Sequence, residues 1–132
     1  MLAPNQTIQL DRMAATRIVS TPAALDAMIA PDDVIVMRVA ADEAFIFPPT
    51  DVTVDDEWAI IKRDSYLAGA WISAEESARI LLHLCEWEVP SARPTFAQGM
   101  VAGIPCKLWL EADRTLIMVP APYVAEMEER IS

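Results

Sequence analysis

His83 is the single histidine of the chain. As a general base it needs a nucleophile or an orienting carboxylate within reach. Glu86 stands three residues on, near enough on a helix for a surface pair. Ser65 and Ser73 would act as nucleophiles only if a base approached in space, and no Gly-x-Ser-x-Gly elbow frames either. A half-exposed structural histidine is the plainer reading; a small enzyme with a pocket near His83 is the sharper one. Cys85 and Cys106 are the two thiols. His83 and Cys85 lie two apart, on different sides of a helix, and no Cys-x-x-Cys pair completes a metal site. Both cysteines are expected as reduced, packed thiols.

Carboxylates crowd residues 51–57, where Asp51, Asp55, Asp56 and Glu57 stand. A calcium loop needs oxygens at fixed offsets and a glycine at its sharp turn. No glycine lies here, so a solvated surface loop is expected and no metal. Only three glycines occur in the chain, none in a Gly-x-Gly-x-x-Gly frame. That argues against a nucleotide site of that kind, and the chain is expected to bind no cofactor of its own.

Four tryptophans are many for this length. Trp58 and Trp109 are read in strands, Trp71 before a helix and Trp87 at its end. Core packing accounts for most of them, because each ring buries a large area. The stretch Ser65–Trp71 is nearly uncharged and holds two aromatics. Its Tyr66, Leu67 and Trp71 form the candidate interface anchor, with Asp55 and Asp56 as an acidic rim, since aromatics are enriched at binding hot spots. Interface and core both stand as readings for Trp71.

The elements that must position these residues follow from pattern. Ser20 or Thr21 caps a short helix with Pro22 at its first position and Leu25, Met28 and Ile29 on one face. Residues 34–39 and 44–47 read as a hairpin, and 58–62 as a third strand. Residues 64–71 read as irregular. Ser73-Ala74-Glu75-Glu76 is a capping box opening a helix that runs to Glu86, with Pro90 beyond it. Residues 95–101, 106–110 and 115–119 form a second three-stranded meander, turned at Ala102–Pro105 and at Glu111–Arg114. Pro122 opens a last helix from Tyr123 to Ile131, whose glutamates form an acidic exposed face. The expected class is α+β: two antiparallel three-stranded meanders with helices packed on one face. The chain is read as one domain, with residues 1–19 as an extended N-terminal arm.

The 132 residues carry 10 Lys and Arg against 20 Asp and Glu, a net charge of −10, and 54% are apolar. A chain of this size buries roughly two-thirds of its unfolded surface, enough for a core. Disorder is disfavoured by the high hydrophobicity. Nucleic-acid binding is disfavoured because phosphate neutralisation needs a basic face. No apolar run reaches membrane-spanning length, and residues 1–7 lack a basic stretch followed by an apolar one. The expected location is the cytoplasm.

Ala102-Gly103-Ile104-Pro105 followed by Leu108-Trp109, after a helix ending near Cys85, resembles the gamma subunit of heterotetrameric sarcosine oxidase. Arg38 to Ile46, with its Asp42-Glu43 pair, is similar to the strand-turn-strand of the same subunits and of the aminomethyltransferase folate-binding fold. The resemblance covers about residues 33–131. It departs at Ala41, where the family commonly has proline, and at Ala121-Pro122, where it commonly has Arg-Ser. It implies a non-catalytic accessory subunit of a flavin-dependent oxidoreductase acting on N-methylated amines or amino acids. The larger subunits of such complexes carry FAD, FMN, NAD and folate chemistry and would be the partners. The alternative is a free-standing acidic homo-oligomeric interaction module. An isolated chain is expected to form a homodimer, the commonest closed assembly.

Overall fold

The computed structural model describes residues 7–132. Among them stand nine strands and three α-helices, in an α+β arrangement of two antiparallel sheets. The chain divides into two compact units, one of residues 66–132 with the segment up to 13, the other of residues 14–65.

The larger unit is built on a five-stranded sheet. Its strands are β1 (Asp11–Arg12), β6 (Leu67–Ser73), β7 (Thr95–Val101), β8 (Ile104–Leu110) and β9 (Arg114–Pro120), in the order β1-β6-β9-β8-β7. The expected meander is present as β7-β8-β9. Its first turn is the two-residue loop Ala102-Gly103, where both residues have positive φ (53° and 77°). Such a turn matches the right-handed twist of the flanking strands.

Of residues 64–71, expected as irregular, 67–71 belong to β6, which lies between β1 and β9. Ala68-Gly69-Ala70 has weak strand propensity, and pairing on both sides overrides it. Gly69 answers to close packing: a Cβ there would lie 2.6 Å from Met13 Sδ and 2.8 Å from the Ile117 carbonyl oxygen.

Helix α2 (Ala74–Leu84) begins with the expected capping box. Glu76 N–H donates to Ser73 Oγ at 3.1 Å, and Ser73 N–H donates to Glu76 Oε1 at 3.0 Å. The helix stops at Leu84, short of the expected Glu86. The Leu84 carbonyl accepts the Ala102 N–H at 2.7 Å, and Cys85 is already extended. A single 3-10 turn (Ala121–Tyr123) leads into α3 (Val124–Ile131). Ile80, Met127 and Ile131 pack with Ala68, Ile72, Ile117, Val119, Leu108 and Leu110 in one buried cluster. Ser77 Oγ and Thr115 Oγ1 share a buried hydrogen bond of 2.9 Å at its margin. Both helices therefore cover the sheet face that carries Thr115, Ile117 and Val119. Strand alternation sends Leu116 and Met118 to the opposite face.

The α3 glutamates, expected as a free acidic face, are partly engaged. Glu128 Oε2 accepts the Leu10 N–H at 2.7 Å, and Glu126 pairs with Arg130 at 3.3 Å.

The smaller unit holds a four-stranded sheet of β2 (Ala15–Val19), β3 (Ile35–Ala40), β4 (Glu43–Phe47) and β5 (Ile60–Asp64), with helix α1 (Pro22–Ala27). Thr21 caps α1 by accepting the Ala24 N–H at 3.2 Å, with Pro22 in the first turn. The β3–β4 hairpin stands as expected. The expected third strand of that meander does not pair with β4. The order is β3-β4-β2-β5, so β2 fills the gap. The stretch 1–19, expected as an arm, thus supplies a central strand; residues 1–6 lie outside the described residues. Ile18 is the reason, being fully buried with Leu25, Ala44 and Ile46 in this unit's core. The strand expected from Trp58 starts at Ile60, and Trp58 lies 83% exposed in a turn.

Candidate interaction surface

The face of the five-stranded sheet turned away from α2 and α3 carries a row of large side chains. Trp71 on β6 pairs with Leu116 on β9, Leu116 with Trp109 on β8, and Trp109 with Phe96 on β7. Directly paired residues on neighbouring strands share a face. Leu116 is buried, Trp109 and Phe96 are half-buried, and Trp71 is 36% exposed. By the same register Lys107 and Gln98 form the next pair and Pro105 and Met100 another. Pro105, Gln98 and Met100 are exposed.

The turn between β8 and β9 ties this row together. Glu111 N–H donates to the Arg114 carbonyl at 2.9 Å and closes the turn. Glu111 Oε1 accepts Arg114 Nε at 2.8 Å, and Glu111 Oε2 accepts Trp109 Nε1 at 3.0 Å. The Arg114 guanidinium carbon sits 3.7 Å from the centre of the Trp71 ring. One carboxylate therefore orients an indole and a guanidinium, and the guanidinium covers a second indole. The Arg114 hydrogen bond does most to hold the Glu111 carboxyl below its ordinary range; slight desolvation opposes it and the Trp109 bond adds to it.

The sequence-derived anchor is only partly assembled. Trp71 and Tyr66 are exposed, but Leu67 is 3% exposed and belongs to the interior. Leu67 opens β6 on the same face as Trp71, where it is buried as Leu116 and Met118 are. Tyr66 gives its carbonyl to the Ala121 N–H at 2.8 Å. Asp55 and Asp56 belong to the smaller unit. Asp55 is exposed. Asp56 is a local brace: it accepts Ser20 Oγ at 2.7 Å, Trp58 N–H at 2.9 Å and Thr21 N–H at 3.4 Å. Those bonds hold its carboxyl below the ordinary carboxylate range, the Ser20 hydroxyl contributing most and the Trp58 N–H next. Asp56 is thereby a turn-former of the kind aspartate commonly supplies.

Sequence pattern places Trp109 in a strand, as it is, but makes 111–114 a plain turn, so the joining of Glu111 and Arg114 to that indole is not anticipated. The usable signal was the spacing Trp109, Glu111, Arg114. Residues two apart on a strand share a face, and a tight turn folds the third back onto the second.

His83, Glu86, Trp87, Met100 and Gly103 line a surface pocket at the β7 edge. Among the described residues no group of three or more His, Cys, Asp or Glu is placed to hold a metal ion. Cys85 and Cys106 are both free thiols. Burial pushes the Cys106 thiol up to about 12, against a hydrogen bond from the Met118 backbone. Among the described residues no helix is long and apolar enough to cross a membrane. No protein-family model matches the chain, and no curated protein matches it either.

Proposed function

We propose that this chain is a non-catalytic accessory subunit that docks onto a larger protein through the Trp71–Trp109–Phe96 face. The observation that carries the reading is the Arg114 guanidinium, stacked on Trp71 and steered by Glu111. Tryptophan and arginine are the side chains most enriched at the centres of interfaces. An arginine already held by stacking and by one carboxylate has less freedom to lose when a partner arrives. Its Nε is used, and its two terminal nitrogens have no hydrogen-bond partner among the described residues.

The resemblance over residues 33–131 supports a specific partner: the larger subunits of a flavin-dependent oxidoreductase acting on N-methylated amines or amino acids. On that reading the cofactors reside in the large subunits and the complex works in the cytoplasm. Without a large subunit, two copies of the chain pair through the same face as a homodimer.

Co-expression with flavoprotein subunits encoded beside this chain tests the proposal. The complex should co-elute on gel filtration with flavin absorbance, while the isolated chain is colourless and dimeric by light scattering. A flavoprotein that assembles fully active without this chain would overturn it.

A further inference from the structure

We propose that the smaller unit has its own docking groove, between the end of α1 and residues 51–55, which takes a basic, apolar-anchored segment of a protein partner. This does not rest on the reading above, which concerns the other unit.

The floor is apolar. Met28, Ile29, Pro31, Val52 and Val54 line the groove. Val52 and Val54 pack inward on the unit's core, as does Met28. That anchoring fixes the walls, because residues 51–57 alternate between exposed and half-buried positions. Ile29 is 89% exposed beyond the last turn of α1. Covering an isoleucine so placed removes apolar surface from water and favours binding.

The rim of this groove is acidic, although Asp51 also lines an adjoining pocket that holds Lys62 and Arg63. Asp51 and Asp55 line the same groove, and no Lys, Arg or His does. Neither aspartate takes part in an ion pair or side-chain hydrogen bond among the described residues.

Charge decides the occupant. A second copy of this chain brings a net charge of −10 to an acidic rim, and like charge opposes its approach. Nucleic acid and anionic lipid are repelled for the same reason. A protein segment with one or two bulky apolar side chains flanked by lysine or arginine meets both the floor and the rim. Its apolar anchors supply affinity, and its cations supply rate and salt dependence.

The test uses the whole chain and four labelled synthetic peptides of equal length: alternating Leu/Lys, Leu/Glu, Ser/Lys and Leu/Ser. The Leu/Lys peptide should bind saturably and more tightly than the other three. Backbone amide NMR shifts should be confined to residues 24–31 and 51–55. Ile29→Ser should weaken binding by about tenfold or more. Asp51→Asn with Asp55→Asn should slow association and flatten its salt dependence. Glu88→Gln with Glu129→Gln makes the same charge change in the other unit and should leave binding unaltered. Ile29, Asp51 and Asp55 are solvent-facing, so melting curves of these variants should match the parent. Equal binding of Ser/Lys and Leu/Lys peptides would overturn the proposal, since net charge alone would then explain it. So would shifts that map elsewhere, or equal weakening by the remote charge pair.

Discussion

The Arg114 guanidinium carbon lies 3.7 Å from the centre of the Trp71 ring, and the Nε of the same guanidinium is bonded to Glu111. Stacking an exposed guanidinium on an indole contributes about 0.5–1 kcal/mol. The pair is thus a weak stabiliser and a well-oriented surface feature.

Two outcomes separate those roles. Trp71→Ala should weaken a docked complex by about 2 kcal/mol, about thirtyfold. Arg114→Ala should weaken it too, yet lower the stability of the isolated chain by only about 1 kcal/mol. Affinity and melting temperature measured on the same samples check this. An affinity unchanged in both variants would remove this face from consideration.

Asp56, like Glu111, should contribute to the acid response. Its carboxyl is held below the ordinary range in the folded chain, mainly by Ser20. A depressed carboxylate pKa gives stability that is complete above the unfolded value, about 3.9, and lost as pH falls through the folded value. Ser20→Ala removes the largest cause. The folded pKa of Asp56 should rise, and the stability gap between parent and variant should narrow below about pH 4. Carboxyl-carbon NMR titration and urea melts at several pH values give both readings. A gap that stays constant with pH would mean that Ser20 acts only by packing.

What the sequence made legible was local. The Thr21 cap, the Ser73–Glu76 box and the turn after Val101 each depend on residues within a few positions; the first two are found in place, and the turn is tighter than the expected 102–105, with Ile104 and Pro105 already in β8. What escaped depends on distant pairing. Ala15–Val19 has no distinctive period, and only its placement between β4 and β5 makes it a strand. Leu67–Ser73 looks like a loop until Met118 and Ile117 take their places beside Gly69 and Ala70. The same gap hides the site: Trp71 stands out by residue type, but Arg114 lies 43 positions along the chain and meets it only through the β6–β9 pairing.

The two thiols should differ in reactivity. Cys106 is buried on β8, and desolvation raises its pKa to about 12. The thiolate is the reacting species, so almost none is present at neutral pH. Cys85 is half-buried at the end of α2. Iodoacetamide followed by mass spectrometry should show one modification, at Cys85, in native protein and two in denaturant. Equal native rates at both positions would show that this edge of the core opens readily.

The edge of the five-stranded sheet provides the last expectation. Among the described residues β7 pairs with β8 alone, and a strand at the edge of a sheet invites association with other chains. Trp87 guards it: Nε1 donates to the Met100 carbonyl at 2.7 Å, and the ring lies against Gly99. A Cβ on Gly99 would stand 2.6 Å from Trp87 Cε2, so the glycine is there to admit the ring. Gly99→Ala should therefore displace Trp87 and cost about 1–3 kcal/mol. Trp87→Ala should cost stability as well, and should expose the Met100 carbonyl at the edge and promote aggregation. The two changes touch one contact, so the double variant should lose less than the sum of the single losses. Chemical unfolding of all four proteins gives the coupling, and light scattering gives the aggregation. Strict additivity would show that Gly99 serves strand conformation and that Trp87 is not the reason for it.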